Sequence, residues 1–262
     1  MKMALRRLVF LAAAFAAMPA LAEDAVSVCS VDYQPYTKSD LGVGIWAELA
    51  NAAFKVAGTT VNWEVLPSAR CNEMARGGRM LAAFNSVKTF ENDKGVIVIE
   101  APPMFNIDMV AFYDTRKVPK GLEFETVKEL SKYKVGLLQG TGSIAVFTGA
   151  GVPFETVVSI ESLVKMLDAG RLDVIVLGDL VGLYNFKKYV PASADAFKYK
   201  SVYSSPVDLG FSTKFPGYEA YFAKYQEGMK LIKKDGTYLS IFAKYYGGSS
   251  KINRNSLASD LK

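Results

Sequence analysis

Histidine is absent from this chain of 262 residues. Without it, the chain has no Ser-His-Asp or Cys-His nucleophile system, no imidazole metal ligand and no ordinary proton shuttle near pH 7. The usual hydrolases and zinc enzymes are therefore not expected, and neither a cofactor nor a metal is predicted. Half of the residues are hydrophobic and 22% are charged, so the chain can bury substantial cores. Its length suits one large or two medium domains.

Long hydrophobic runs are also missing. Residues 1–22 begin with basic side chains, continue with an apolar run of about 11 residues before Pro19, and close on small residues at Ala20 and Ala22. A helix that crosses a bilayer needs roughly 20 apolar residues. The pattern therefore predicts a secretory signal peptide at 1–22 that is cleaved after Ala22, and a soluble protein in the periplasm.

The excess of positive charge is largely confined to this segment. The net charge of +5 would suit a nucleic acid or a membrane surface. Lys2, Arg6 and Arg7 lie in the predicted signal, and their removal leaves 28 basic against 26 acidic side chains. No nucleic-acid partner is therefore predicted.

Cysteine occurs only twice, at Cys29 and Cys71. The predicted location permits disulfides. A bridge between the two would close a loop of roughly 40 residues and add about 3–4 kcal/mol to stability. The alternative is two independent buried thiols. Because the sequence has no CxxC pair, thiol catalysis is not expected.

Short β-rich runs alternate with helical patterns, which predicts an α/β architecture with parallel strands. No internal repeat of solenoid length is found. The polar tail after Gly247 is expected to be loosely ordered. The clearest predicted strands lie at 61–66, 134–138 and 173–177, and the clearest helices at 44–56, 160–169, 217–234 and 237–245.

Several segments, in order, resemble the bacterial extracellular solute-binding proteins of family 3, the periplasmic receptors for polar amino acids. The last of them matches the family's C-terminal motif nearly residue for residue, and together they span almost the whole chain after the signal. The segments are 32–36 (Asp-Tyr-Gln-Pro-Tyr), 44–49 (Gly-Ile-Trp-Ala-Glu-Leu), 138–143 (Leu-Gln-Gly-Thr-Gly-Ser), 167–173 (Leu-Asp-Ala-Gly-Arg-Leu-Asp) and 233–247.

The resemblance implies a two-lobed periplasmic-binding-protein fold of type II, each lobe a mixed sheet flanked by helices. Two crossing hinge strands would lie near 107–113 and 203–211, and closure of the lobes would bury a small molecule. Lobe I would comprise 23–108 plus 208–262, and lobe II 109–207. A receptor of this type is a monomer that delivers a small-molecule ligand to an ABC permease in the membrane.

A glycine-containing turn, Gly140 to Ser143, is the clearest candidate ligand site. A strand that enters a helix through such a turn leaves backbone N–H groups free for a carboxylate, and Thr141, Gly142 and Ser143 would face it. A plain helix cap is the alternative. On the loop after the first strand, Tyr33 and Tyr36 either cover the ligand or pack on the lobe surface.

One departure from the family concerns the arginine that grips a ligand's α-carboxylate. The corresponding stretch here begins with Asn85 and Ser86, both ligand candidates, and has Asn92, Asp93 or Lys94 where the arginine belongs. Arg70 is the proposed substitute, although a solvated arginine at a helix start is equally compatible.

A second departure concerns the aspartate that receives a ligand's ammonium in the family. Asp179 stands one residue later than the family spacing. It either receives that ammonium or caps the next helix. The ligand is expected to be a carboxylate-bearing solute, such as an amino acid or a related molecule.

Two other functions stay open. The chain could present its ligand to a sensor protein, since sensing and transport share the same features. It could also resemble the few cyclohexadienyl-dehydratase-like relatives, with Lys88, Glu91 or Asp93 as acid or base. No catalysis is the main expectation.

Overall fold

The computed structural model of the chain describes residues 24–31, 33–38, 42–90, 94–97 and 103–261. The predicted signal peptide at 1–22 lies outside them. Strands and helices alternate along the chain, so the predicted α/β class is confirmed. Within the described residues, no helix combines the length and the hydrophobicity that a bilayer crossing needs.

The N-terminal elements and the first crossing strand follow in close succession. They are β1 (Asp24–Ser30), α1 (Ile45–Val56), β2 (Thr59–Val65), α2 (Ser68–Arg76), β3 (Ala82–Ser86), α3 (Val87–Phe90), β4 (Val96–Ile97) and β5 (Phe105–Asp114). The remaining elements are β6 (Val135–Leu138), α4 (Ser143–Gly149), β7 (Phe154–Val157), α5 (Ile160–Asp168), β8 (Val174–Gly178), α6 (Asp179–Tyr189), β9 (Phe197–Ser212), α7 (Tyr218–Lys234) and α8 (Thr237–Tyr246).

One sheet connects these strands in the order β2-β1-β3-β9-β5-β8-β6-β7, and β4 pairs with β9. Strand β1 is parallel to β2 and β3, and β6 is parallel to β7 and β8. We call the part built on β1–β4 with α1–α3, α7, α8 and the C-terminal tail the first half. The part built on β6–β8 with α4–α6 is the second half.

Strands β5 and β9 join the two halves, and we call them the crossing strands. They pair antiparallel with each other along β5, from Phe105 to Asp114. Strand β9 also pairs with β3 through Val207–Phe211, and β5 pairs with β8 through Met109–Phe112. Strand β9 begins at Phe197, well before the expected 203. The lobe boundaries at 108 and 208 stay predictions.

The core of the first half is formed by α1 and the C-terminal helices packed on the sheet. Helix α1 buries Ile45, Leu49 and Ala53, which its hydrophobic spacing predicted, whereas Val56 of the same predicted pattern is exposed. Helix α7 approaches α1 very closely at Gly228, where an added Cβ would lie 1.9 Å from the carbonyl oxygen of Ala53. A glycine is therefore required for this helix pair to pack.

The C-terminal tail differs from the expectation. It was predicted to be loosely ordered, but it packs against the first half and the junction. Ser256, Leu257 and Ala258 are buried, and the Asn106 Nδ2 donates to the carbonyl oxygen of Leu257 at 2.7 Å. The prediction failed because the tail's composition is polar, whereas its few apolar residues and its amides find partners far away in sequence.

Candidate functional site

A cavity of about 600 Å³ lies where the two halves meet the crossing strands. Its volume falls in the usual range for small-molecule sites. The first half contributes Val31, Tyr33, Ser68, Phe84, Asn85 and Thr89, the second half contributes Gly140, Thr141, Gly142, Ser143 and Val146, and the crossing strands contribute Ile107, Met109, Tyr203, Ser204, Ser205, Pro206 and Val207.

The wall from the second half is the turn between β6 and α4. Gly140 has a φ of 77°, a left-handed conformation that favours glycine. Thr141 closes the turn, since its Oγ1 donates to the carbonyl oxygen of Leu138 at 2.8 Å. Within the described chain, the N–H groups of Gly142 and Ser143 donate to no backbone acceptor. The turn therefore lines the cavity with two N–H groups that have no backbone acceptor in the described chain, and its role in ligand binding stays a prediction.

A pair of hydroxyl groups links this turn to a crossing strand. The Ser143 Oγ lies 2.9 Å from the Tyr203 Oη. Burial raises the pKa of Tyr203, so its hydroxyl stays protonated at neutral pH. Both hydroxyls can donate or accept hydrogen bonds, which makes this pair a polar patch on the cavity wall.

The wall from the first half is organised by stacked aromatic rings. Tyr33 stacks on Tyr36 with 5.8 Å between ring centroids, and Tyr36 stacks on Phe105 at 5.5 Å. Burial, followed by the nearby Tyr203 and Asp179, raises the pKa of Tyr33 to about 12. Tyr33 therefore lines the cavity as a neutral side chain whose ring is supported by Tyr36.

Asn85 completes this wall through a polar network. Its Nδ2 donates to the Ser68 Oγ and the Asn72 Oδ1, each at 3.3 Å, and its Oδ1 accepts from the Thr89 Oγ1 at 2.9 Å. The network fixes the orientation of the amide. Ser86 is the last residue of β3 and pairs with Val207, and its side chain is not among those that the structure describes.

Three predicted site residues lie away from the cavity wall. Tyr36 is fully buried beneath Tyr33 and donates to Asp179. Arg70 is exposed on α2 and is not among the described wall residues, although Ser68 of the same helix is. The Cys29–Cys71 bridge, whose Cα atoms are 5.6 Å apart, is confirmed and fixes α2 against β1.

Asp179, the third of these residues, is the first residue of α6 and is fully buried. Its carboxylate accepts hydrogen bonds from Tyr36, Tyr246, Asn253 and Ser256. Burial raises its pKa above the ordinary value. The carboxylate is therefore saturated by the protein itself, which explains why it does not reach the cavity. The charged candidates Glu91 and Asp93, with Asn92, lie outside the described residues, as does the side chain of Lys88.

Sequence reasoning missed the residues that the crossing strands and α3 place in the wall. Tyr203, Ser204 and Ser205 precede Pro206 in the stretch that was predicted to cross, and Thr89 follows the predicted Asn85–Ser86 turn. The signal was available, because a strand that crosses between two lobes must pass the ligand cleft. The residues of the predicted crossing strand could therefore have been predicted as part of the wall of the cleft.

The sequence matches no protein-family model, and no curated protein matches it in sequence. Solved structures do match its fold. The L-cystine solute receptor of Neisseria gonorrhoeae, in its unliganded open conformation, is 15% identical, with a TM-score of 0.66 over 88% of this chain and 96% of that chain. A substrate-binding protein of an ABC uptake transporter from Streptococcus pneumoniae, with bound histidine, is 14% identical, with a TM-score of 0.63 over 88% and 94%.

A histidine kinase sensor domain with similarity to periplasmic binding proteins is 20% identical, with a TM-score of 0.62 over 85% of this chain and 96% of that chain. At such low sequence identities, the structural similarity shows the fold alone. The chain has the fold of periplasmic binding proteins.

Proposed function

We propose that this chain is a divergent solute-binding receptor of family 3 that closes on a small polar solute. The observation that carries the proposal is the cavity of about 600 Å³ whose wall is shared by both halves and both crossing strands. A ligand held there contacts both halves at once, so binding favours the arrangement in which they approach each other. Two of the structural neighbours are a receptor for cystine and a substrate-binding protein of an uptake transporter with bound histidine.

The wall suits a ligand that carries hydrogen-bond acceptors, such as a carboxylate. The N–H groups of Gly142 and Ser143 supply donors, and the hydroxyl pair of Ser143 and Tyr203 supplies one more while the two hydroxyls stay bonded to each other. Tyr33 and Phe84 supply apolar surface for the rest of the molecule. We therefore propose an amino acid or a related carboxylic acid as the ligand class.

The proposed destination of the ligand is an ABC permease in the membrane, reached from the periplasm after removal of residues 1–22. The alternative is presentation to a sensor protein, which the likeness to a histidine kinase sensor domain supports. We propose no catalysis, because the described donors of the wall are amides and hydroxyls that stay protonated near neutral pH.

Binding is tested with purified protein in a thermal-shift panel of amino acids, short peptides and carboxylic acids, followed by calorimetry. Native mass spectrometry identifies any molecule that co-purifies. We expect at least one carboxylate-bearing solute to bind with saturation and to bind more weakly to Ser143→Ala. The matched control, Ser249→Ala on the exposed C-terminal tail, should bind normally. Absence of binding across the panel would contradict the proposal.

Transport, sensing and catalysis need separate assays. Uptake of the labelled ligand should fall in cells that lack the protein if it serves a permease, and should be unchanged if it serves a sensor. Incubation with prephenate or arogenate should release no product, and release of product would replace the receptor proposal by the dehydratase one.

A further inference from the structure

The C-terminal tail beyond α8 makes its most specific contacts at the junction of the two halves. It is anchored to the first half at its end, where the Ala258 N–H donates to the Tyr238 Oη at 3.0 Å and the Asn106 Nδ2 binds the carbonyl oxygen of Leu257. The residues just before this anchor, 253–256, turn toward the crossing strands and α6. The tail therefore reaches from the first half to the second.

The first partner of this segment is Asp179, which starts α6 in the second half. The Asp179 Oδ2 accepts a hydrogen bond from the Asn253 Nδ2 at 3.0 Å and a second one from the Ser256 Oγ at 3.1 Å. Leu180 and Val181, the next two residues of α6, pack in the hydrophobic core of the first half. The start of α6 is thus held by the first half through both polar and apolar contacts.

The second partner is Asp108, a buried residue of crossing strand β5. The same Asn253 Nδ2 donates to the Asp108 Oδ2 at 2.8 Å, and the Asn255 Nδ2 binds the Ser201 Oγ of β9 at 2.9 Å. One amide therefore lies between two buried carboxylates that belong to different elements. Two buried carboxylates repel each other in a low-dielectric interior, so a donor shared between them lowers the cost of their proximity, together with the other donors that each carboxylate has.

We propose that residues 253–256 form a latch that ties α6 to the crossing strands and so limits the relative movement of the two halves, with Asn253 as its positioning residue. The latch lies where the two halves meet, because α6 belongs to the second half and the crossing strands connect that half to the first. Its contacts lie behind Tyr36 and not in the cavity wall. It therefore controls the geometry of the cavity without contacting a ligand.

The test uses ligand-free, full-length protein, so its outcome is independent of the proposed function. In Asn253→Ala, amide hydrogen exchange at the start of α6 and in the middle of β5 should become roughly tenfold faster, because the two carboxylates lose a shared donor. Exchange in β1 and β2 should be unchanged, and small-angle scattering should show a larger radius of gyration. The matched control is Asn62→Ala, an exposed asparagine on the edge strand β2.

Two results would overturn the proposal. One is unchanged exchange at α6 and β5 in Asn253→Ala. The other is acceleration that is uniform over both halves, which would mean loss of global stability without a local latch. If Asn253→Ala fails to fold, Ser256→Ala removes only one donor to Asp179 and should show the same local pattern with a smaller increase, whereas normal exchange at α6 in that variant would reject the latch.

Discussion

The two halves of the molecule are built in different ways from the chain. The second half arises from one continuous stretch, in which β6, α4, β7, α5, β8 and α6 follow each other directly. The first half combines residues near both ends of the described chain, because α7, α8 and the tail pack on β1–β3 and α1. The first half therefore depends on contacts between distant residues, whereas the second half is a local α/β unit.

The means of stabilisation differ accordingly. The first half contains the disulfide and a group of interlocking rings that includes Trp46, Phe54 and Tyr225. The second half has a mainly aliphatic core, with Leu163 and Leu167 of α5 packed on its sheet. Aromatic contacts are not confined to the first half, because Phe186 of α6 stacks on Phe197 at 4.2 Å, so the disulfide is the clearer difference between the halves.

Removal of the disulfide should cause the largest loss of stability, and the loss should be concentrated in the first half. The Cys29–Cys71 bridge closes a loop with a sequence separation of 42. On the chain-entropy estimate, its loss costs about 4 kcal/mol. We expect the Cys29→Ala/Cys71→Ala variant to unfold at much lower urea, with hydrogen exchange accelerated in β1, β2 and α2. Equal acceleration in β6 and β8 would contradict the separation of the halves.

Acidification should affect different buried carboxylates in opposite directions. On crossing strand β9, where it faces the first half, burial raises the pKa of Asp208 to about 7, although Tyr225 and two backbone N–H groups bind its carboxylate. Because this pKa is raised in the folded state, its contribution to stability is fully present below about pH 4 and is lost as the pH rises through 7. The loss between pH 4 and 7 should be about 3 kcal/mol.

Two carboxylates, one at the end of crossing strand β5 and one at the end of α5, provide the contrast for this titration. The side chains of Arg116 and Ser193 hold the pKa of Asp114 and Asp168, respectively, below the ordinary value. These groups stabilise the fold above about pH 4, and their contribution is lost as the pH falls through the lowered values. Urea unfolding from pH 4 to 8 should show a flatter pH dependence for Asp208→Asn than for the wild type. An identical slope for both would contradict the assignment to Asp208.

Much of the architecture could be predicted from the sequence because hydrophobic spacing is a local property. Helices α1 and α5 begin and end within about two residues of the predicted positions, and the apolar strand β8 is buried throughout. The length of β9 and the order of the tail could not be predicted in this way. Both depend on pairing with residues about 80 to 150 positions away, namely β5 and Asn106.

The position of the candidate turn could be predicted from the sequence, whereas the hydrogen-bond partners of Asp179 could not. The Gly140–Ser143 turn is local, and its predicted residues all line the cavity. Asp179 was matched to a ligand role by its position after β8. The hydroxyl and amide groups that donate to its carboxylate belong to residues distant in sequence, and no pattern around Asp179 indicates them. These residues are Tyr36, Tyr246, Asn253 and Ser256.

A helix cap in the second half should have a moderate and local effect. Ser159 caps α5, since its Oγ accepts from the Ser162 N–H at 3.1 Å. Ser159→Ala should lower the free energy of unfolding by about 1 kcal/mol. The comparison variant is Ser162→Ala, which keeps the capping bond, removes only the acceptor of the Ser159 hydroxyl at 2.9 Å and should therefore cost less. Hydrogen exchange should accelerate in α5 and leave β1 unchanged, and a larger effect on the first half would contradict its independence.

The smallest expected effect concerns the hydroxyl pair that connects α4 to crossing strand β9 at the cavity. Tyr203→Phe removes the contact of 2.9 Å with Ser143 and keeps the ring. The Tyr203 side chain is only half-buried, so water can replace part of the lost hydrogen bond, and the free energy of unfolding should fall by less than about 1 kcal/mol.

A double-mutant cycle with Ser143→Ala measures this connection without any ligand. If the two hydroxyls bind each other in the free protein, the cost of both changes together should be smaller than the sum of the single costs by about 0.5 kcal/mol. Strictly additive costs would mean that crossing strand β9 and α4 are energetically separate at the cavity.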